Sequence, residues 1–181
     1  MKIYFARHGE YQNPQNVVPF QLPDFPLSDF GIEQSGLIAS KLLTEKIRAI
    51  FTSPVERCLE TASIIGKVLC LFPNQKEEII ETRTPLQGTK RSEFPVDIYV
   101  EPKHISGGGE TKEEIITRMA EFVGMLKLTS KNSIYLIVSH GDPMMFYLRH
   151  VLKKDIRYIP MGGLVMLDYS QSGTPKYTEI I

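Results

Sequence analysis

The chain has 181 residues, of which 42% are hydrophobic, and its 21 basic and 21 acidic residues give a formal net charge of zero. This composition supplies enough apolar side chains for a core and excludes a disordered chain. The lack of a basic excess argues against broad nucleic-acid binding but leaves room for a small cationic pocket. Two cysteines, Cys58 and Cys70, with no CxxC pair, exclude a disulfide framework and argue against a structural zinc site.

The N-terminal apolar stretch is short and ends at Arg7, which does not fit the apolar segment of a signal peptide. No window of the sequence approaches the ~20 apolar residues that a membrane-spanning helix needs. We therefore expect a cytoplasmic protein that does not bind membranes. The sequence carries no indication of an oligomeric state.

Strand-like and helix-like segments alternate through the first part of the chain. An apolar run at residues 2–6 predicts a buried strand, and residues 11–27, rich in Asn, Pro and Gln, predict a loop. Apolar residues at helical spacing then predict a helix from about 28 to 46, capped by Ser28 or Asp29.

A second strand is predicted at residues 49–52, and a helix follows it directly. Ser53 is suited to cap this helix, Pro54 to occupy its first position and Glu56 to complete a capping box. We expect the helix to run to about Leu71.

The second half of the chain begins with a third predicted strand at 78–81, followed by an irregular insertion at 82–109 that contains three prolines and three consecutive glycines. His104, within this insertion, is expected to be solvated. The remaining predicted elements are a helix capped at Thr111, a strand at 133–139, a helix from Asp142, and strands at 164–169 and 177–181. The alternation of strands and helices predicts an α/β three-layer sandwich with a mostly parallel sheet flanked by helices, in a single domain over residues 1–181.

Reactive polar residues follow three of the predicted strands. Arg7 and His8 end the first strand, Arg57 lies just after the second, and His140 follows the strand at 133–139. Ligands bind at the carboxyl ends of strands in open α/β sheets, so these four residues, called here the cationic cluster, are expected to converge. Guanidinium groups bind phosphate oxygens and imidazole can act as a nucleophile. The cluster therefore predicts a phosphate pocket with a histidine placed to attack phosphorus.

A metal site is the alternative interpretation of the same segments. His8 with Glu10, and His140 with Asp142, carry side chains that ligate divalent cations. The two arginines of the cationic cluster would repel such a cation. We therefore expect no metal and no other cofactor.

Five motifs occur in order along nearly the whole chain: Arg-His-Gly-Glu at 7–10, Asp-Phe-Pro-Leu-Ser through Gly and Gln at 24–34, Thr-Ser-Pro-Val-Glu-Arg at 52–57, Gly-Glu-Thr at 109–111 and Ser-His-Gly-Asp at 139–142. Together they resemble the signature of the histidine phosphatase superfamily, also called the phosphoglycerate mutase-like family. The resemblance implies the fold of that family.

The resemblance also assigns roles to the cationic cluster. His8 would be the nucleophile that forms a phosphohistidine. Arg7, Arg57 and His140 would bind the phosphoryl group and stabilise its charge in the transition state.

The proton donor is less well defined by the resemblance. Many members of the family carry a glutamate after the third strand, and Glu81 fits that position. The glycine that follows this glutamate in the family is missing here. Glu78 and Glu110 are the alternatives.

Contacts beyond the phosphate are expected to differ from those of the family. Many members have Ser or Thr after Arg-His-Gly-Glu and Asn three residues later, whereas this chain has Tyr11 and Pro14 there, with Asn13 displaced. Asn13 is a predicted substrate contact, and Tyr11 either lines the pocket or packs the loop. Gly9 and Gly141 follow the two histidines, and we expect their missing Cβ atoms to let substrate approach the backbone.

The resemblance implies a phosphomonoesterase that acts on a phosphorylated small molecule or a phosphoprotein through a phosphohistidine. A phosphoglycerate mutase-type phosphotransfer and a non-catalytic phosphate-binding module are the alternatives. The intact cationic cluster argues against the binding module. The short chain, with only 82–109 to enclose a site, argues against a mutase, which must keep water from its intermediate.

Overall fold

The computed structural model of the protein describes residues 1–129 and 132–181. Within these ranges it contains six strands and five α-helices. Their bounds are β1 Lys2–Arg7, α1 Asp29–Leu42, β2 Ile47–Thr52, α2 Glu56–Leu69, β3 Pro73–Gln75, α3 Pro102–Ser106, α4 Lys112–Thr129, β4 Ile134–Ser139, α5 Gly141–Leu152, β5 Leu164–Asp168 and β6 Lys176–Glu179. None of the described helices is long and apolar enough to cross a membrane.

The strands form one sheet in the order β3-β2-β4-β1-β5-β6. The first four strands in this order run parallel, and β5 and β6 are antiparallel to their neighbours. In the register of the central strands, Arg7 lies opposite Ser139 and Thr52 lies opposite Val138. The carboxyl ends of β1, β2 and β4 therefore meet at one edge of the sheet.

Alternate residues of β1 supply cores on opposite faces of the sheet. Ile3 and Phe5 belong to a core formed with α4 and α5. Tyr4 and Ala6 belong to a second core formed with α1 and α2. Because successive side chains of a strand point to opposite faces, the buried central strand joins two helical layers. This confirms the predicted α/β three-layer sandwich and its mostly parallel sheet.

The strand predicted at residues 78–81 was wrong. The edge strand is the earlier segment β3, and Glu77–Ile79 forms a 3₁₀ turn. The carbonyl oxygens of Glu78 and Ile79 accept hydrogen bonds from the side chains of Arg118 (2.8 Å) and Ser139 (2.7 Å). Side chains thus take the place of a strand partner for this segment.

One of the two predicted capping boxes is present. The Glu114 amide donates to the Thr111 hydroxyl at 3.1 Å, and the Thr111 amide donates to the Glu114 carboxylate at 2.8 Å. The box predicted at Ser53 was wrong, because α2 begins at Glu56 with Val55 as its N-cap and no side-chain capping bond.

His104 is buried at 2% exposure, so its predicted solvation was also wrong. Its Nε2–H donates to the Glu110 carbonyl at 2.9 Å, which leaves Nδ1 to accept from the Thr84 hydroxyl at 2.9 Å. The imidazole ring packs against Gly109, where a Cβ atom would clash with it. The ring holds the insertion to the start of the Gly-Glu-Thr segment.

The insertion pairs with the N-terminal loop. The Val18 amide donates to the Thr89 carbonyl at 2.9 Å, and the Gly88 amide donates to the Val18 carbonyl at 2.8 Å. One turn further, the Arg91 amide donates to the Asn16 carbonyl at 2.9 Å. These bonds bring both segments over the carboxyl edge of the sheet.

Candidate active site

The carboxyl edge of the sheet brings the four residues of the cationic cluster together. The Arg57 Nε donates to His8 Nε2 at 3.1 Å, and its Nη2 donates to His140 Nδ1 at 3.1 Å. The centroids of the two imidazole rings are 5.2 Å apart. Both histidines and Arg57 are buried, at 2% exposure or less. Arg57 lies in the first turn of α2, as expected from its place after the second strand.

Hydrogen bonds fix the protonation state of His8. Its Nδ1 lies 2.8 Å from the Gly9 carbonyl oxygen, and because a carbonyl only accepts, Nδ1 carries the proton. Nε2 then keeps a lone pair, which accepts from Arg57. Burial lowers the pKa of His8 well below its usual value, and the charges of Arg57 and Arg7 lower it further. His8 is therefore a neutral imidazole whose Nε2 lone pair faces the guanidinium of Arg57.

His140 is fully buried and is not among the residues that line the pocket, so the structure does not show the phosphate contact that the resemblance implies for it. Its Nδ1 accepts from Arg57, so its Nε2–H donates to the Ser53 hydroxyl at 2.7 Å. Burial and the charge of Arg57 lower the pKa of His140 well below its usual value. As a neutral acceptor, His140 orients the guanidinium of Arg57. Ser53, expected as a helix cap, holds this histidine instead.

The two guanidinium groups are fixed by the backbone but retain unused donors. Arg57 Nη2 donates to the Phe20 carbonyl at 2.7 Å, and Arg7 Nη1 donates to the Ile159 carbonyl at 2.9 Å. Within the described part of the chain, the buried Arg57 Nη1 and Arg7 Nε have no hydrogen-bond partner. Unpaired buried donors are costly, and in this pocket they offer sites for the oxygens of an anion.

Glu81 is the carboxylate nearest to the cationic cluster. Its Oε1 accepts from the Thr82 amide at 2.8 Å, and its Oε2 lies 3.5 Å from His140 Nδ1 and 3.8 Å from Arg57 Nη2. Burial and the charge of Asp142 raise the pKa of Glu81 to about 7, although Arg57 acts in the opposite direction. A carboxyl with this pKa can both donate and accept a proton near neutral pH. Because His140 is neutral, its contact with Glu81 is a polar contact and not an ion pair.

The two alternative proton donors are not among the residues that line the pocket. Glu110 forms a bidentate ion pair with Arg118 at 2.6 and 3.1 Å and accepts from the Arg83 amide at 3.2 Å. The backbone carbonyl of Glu78 accepts from the same Arg118. Of the three candidates, the structure brings Glu81 to the cationic cluster.

The carboxylates of the alternative metal site belong to separate hydrogen-bond networks. Glu10 accepts from the Ser28 hydroxyl at 2.8 Å. Asp142 accepts from the hydroxyls of Tyr99 at 3.0 Å and Tyr158 at 3.4 Å. Among residues 1–129 and 132–181, no group of three or more His, Cys, Asp or Glu side chains is arranged to hold a metal ion.

The glycines after the two histidines give space to protein atoms. A Cβ atom on Gly9 would clash with the backbone of Gly31 in α1, and one on Gly141 would clash with the hydroxyl of Tyr158. We expected substrate to approach the backbone at these two glycines. Instead, helix α1 approaches Gly9 and Tyr158 approaches Gly141. Their missing side chains are needed for packing around the site.

Of the two loop residues selected from the sequence, Tyr11 lines the pocket and Asn13 does not. The guanidinium carbon of Arg57 lies 5.2 Å from the centroid of the Tyr11 ring, within the range of a cation–π contact. The Asn13 side chain instead donates to the Val17 carbonyl at 2.7 Å and accepts from the Val17 amide at 3.1 Å. Asn13 closes a turn of the loop.

The pocket is completed by residues that had no local signal in the sequence. Tyr158 lies against Arg7, with 5.0 Å between the guanidinium carbon and the ring centroid. Phe20 and Phe94, from the two paired segments, have ring centroids 5.6 Å apart. Val18, Pro19 and Arg91 also line the pocket, together with Asp142 from the Ser-His-Gly-Asp motif.

Solved structures similar to this chain share its fold at low sequence identity. Bacillus stearothermophilus YhfR aligns with a TM-score of 0.85 at 21% identity, covering 98% of this chain and 95% of that one. A phosphoserine phosphatase variant from Entamoeba histolytica, in complex with phosphoserine, aligns with a TM-score of 0.79 at 20% identity, covering 98% and 94%. The mycobacterial glucosyl-3-phosphoglycerate phosphatase aligns with a TM-score of 0.78 at 18% identity, covering 99% and 97%.

No match was found among curated proteins. The model of the histidine phosphatase superfamily, branch 1, matches residues 3–174. The matched range includes the cationic cluster and Glu81, and the match confirms the resemblance seen in the sequence motifs. The chain therefore belongs to the histidine phosphatase superfamily, branch 1.

Proposed function

We propose that this protein is a phosphomonoesterase that hydrolyses a phosphorylated small molecule through a phosphohistidine at His8. Its family supports phosphatase or phosphotransfer activity. The phosphohistidine is proposed because His8 carries its proton on Nδ1 and keeps a lone pair on Nε2. This atom lies in a buried site beside two guanidiniums that have unused hydrogen-bond donors.

The phosphate would bind between Arg7 and Arg57. The unused N–H groups of these two side chains supply charge-assisted hydrogen bonds to its oxygens. Two fixed positive charges also stabilise the negative charge on the transferring group, which is the main requirement of phosphoryl transfer. The proposal needs no metal ion for this step.

In the first chemical step, the hydrogen bond from Arg57 Nε to His8 Nε2 breaks, Nε2 attacks phosphorus, and the bond between phosphorus and the ester oxygen breaks. Glu81, protonated in part near neutral pH, donates its proton to the leaving oxygen. The alcohol departs, leaving a phosphohistidine and an ionised Glu81 carboxylate.

In the second step, water attacks the phosphorus of the phosphohistidine. The Glu81 carboxylate takes a proton from this water, and the bond between phosphorus and Nε2 breaks. Inorganic phosphate leaves, and His8 and Glu81 return to their starting states. A carboxyl whose pKa lies near the working pH suits both halves of this cycle.

The size of the pocket favours small substrates. Its cavity volume is about 180 Å³, below the roughly 300–1,000 Å³ of sites for drug-sized ligands. The names of two similar proteins, a phosphoserine phosphatase and a glucosyl-3-phosphoglycerate phosphatase, also refer to small phosphorylated molecules. Supplying 3-phosphoglycerate and following both phosphate and 2-phosphoglycerate distinguishes this hydrolase from a mutase, which would interconvert the isomers faster than it releases phosphate.

The first test is hydrolysis of 4-nitrophenyl phosphate by the wild type and by His8→Ala. We expect the variant to lose nearly all activity because it lacks the nucleophile. His150→Ala is the matched control, since His150 is exposed on α5, outside the pocket. Activity in His8→Ala equal to that of the control would overturn the proposal.

A further inference from the structure

A third arginine, Arg91, also lines the pocket and is more exposed than Arg7 and Arg57. Within the described residues, the Arg91 side chain has no hydrogen-bond or ion-pair partner. The two carboxylates that line the pocket are engaged elsewhere, Asp142 by two tyrosine hydroxyls and Glu81 by the Thr82 amide. The positive charge of Arg91 is therefore uncompensated by its protein surroundings.

The backbone of Arg91 is hydrogen-bonded to the N-terminal loop. Its amide donates to the Asn16 carbonyl at 2.9 Å, and its carbonyl accepts from the Phe94 amide at 3.4 Å across one 3₁₀ turn. Phe94 in turn contacts the ring of Phe20. The carbonyl of Phe20 binds Arg57 at 2.7 Å. A continuous chain of contacts thus connects the backbone of Arg91 to the guanidinium of Arg57.

Apolar surface lines the same pocket as the three arginines. The rings of Phe20 and Phe94 line this part of the pocket, together with Val18 and Pro19. Such a wall favours the apolar part of a ligand by excluding water from it. The pocket therefore combines guanidinium groups with apolar surface.

We infer that the pocket selects phosphate esters whose leaving group has an apolar body against Phe20 and Phe94 and ends in a carboxylate bound by Arg91. The inference rests on the proposed function, because a phosphate between Arg7 and Arg57 directs the leaving group outwards. One guanidinium matches the single charge of a carboxylate and binds it bidentately. A second phosphate carries nearly twice the charge of a carboxylate, and we expect it to require two guanidiniums, as at Arg7 and Arg57.

The test compares kcat/KM for phenyl phosphate with that for 3- and 4-carboxyphenyl phosphate, using the carbamoyl analogues as uncharged controls. Two isomers are included to cover different distances between phosphate and carboxylate. We expect at least one carboxylated ester to be preferred by about tenfold over its carbamoyl analogue, equivalent to about 1.4 kcal/mol. Arg91→Gln should abolish this preference.

Lys90→Gln is the matched control, because Lys90 is the adjacent exposed cation and does not line the pocket. It should keep the preference for the carboxylate. No preference in the wild type, or equal loss of preference in both variants, would overturn the inference. Preference for an ester bearing a second phosphate over the carboxylated ones would overturn the choice of carboxylate.

A binding assay keeps this inference separate from the proposed function. The affinities of phenylphosphonate and of 3- and 4-carboxyphenylphosphonate are measured by calorimetry, which requires no turnover. Tighter binding of a carboxylated compound that depends on Arg91, in a protein that hydrolyses none of the esters, would refute the phosphatase proposal and support the subsite. Hydrolysis of every ester, with equal affinity for all three phosphonates, would support the phosphatase proposal and refute the subsite.

Discussion

The proposed acid–base role of Glu81 predicts how turnover depends on pH. Burial and the charge of Asp142 raise the pKa of Glu81 to about 7, and the protonated form is the one that donates to the leaving oxygen. The active fraction therefore falls as pH rises through 7. For a carboxyl of this pKa, the protonated fraction is about 50-fold smaller at pH 9 than at pH 7.

The assay compares an alkyl phosphate, whose leaving oxygen needs a proton, with 4-nitrophenyl phosphate, whose leaving group does not. We use kcat/KM, because it reports the steps up to formation of the phosphoenzyme. For the alkyl ester, Glu81→Gln should lower kcat/KM by roughly 10²–10⁴ and abolish the decline above pH 7. For the aryl ester, the same substitution should lower kcat/KM much less. Glu78→Gln, a change at a carboxylate outside the pocket, is the control and should behave like wild type.

Two results would refute this reasoning. If the decline between pH 7 and 9 persists in Glu81→Gln, another group is responsible for it. If the variant slows both esters equally, Glu81 does not protonate the leaving oxygen.

Three further predictions follow from the same contacts. Asp142→Asn should move the decline in activity with the alkyl ester to lower pH, because the charge of Asp142 raises the pKa of Glu81; an unchanged pH profile would contradict this. Both histidines of the cationic cluster have lowered pKa values, so each should lower the free energy of unfolding as pH falls below about 6.5, because the unfolded chain then binds more protons. The raised pKa of Glu81 acts in the opposite direction, but two histidines outweigh one carboxyl, so urea unfolding should show a net loss of stability as pH falls below about 6.5; constant stability would contradict it. Gly9→Ala should destabilise the protein by about 1–3 kcal/mol through overpacking, whereas Gly124→Ala, where a Cβ atom meets nothing within 4 Å, should not; equal stability of the two variants would contradict the packing role.

The central sheet and the position of the site could be predicted from the sequence because strong local patterns specify them. The apolar run of β1 ends directly before Arg7 and His8, and that of β4 ends directly before His140. Parallel pairing of these strands then brings their carboxyl ends together. The edge strand β3 could not be predicted in this way, because its sequence Pro-Asn-Gln has no apolar alternation and its strand geometry depends on pairing with β2.

The wall of the pocket could not be predicted, because it depends on contacts between distant segments. Arg91 and Phe94 reach the site only because the insertion pairs with the N-terminal loop. Similarly, the sequence motif marks His140 but does not reveal that its Nδ1 accepts from Arg57 and its Nε2 binds Ser53. Loop pairing and side-chain hydrogen bonding are tertiary properties with no periodic signal in the chain.

The most direct test of the account is to identify the phosphorylated atom of the enzyme. The wild type is mixed briefly with a phosphate ester, quenched in alkali to preserve the acid-labile phosphoramidate, and analysed by peptide mass spectrometry and by phosphorus NMR. Because Nδ1 of His8 donates to the Gly9 carbonyl, the account predicts phosphate on His8, and on its Nε2 atom. Phosphate on Nδ1 of His8, on another residue, or in equal amount in His8→Ala would contradict it.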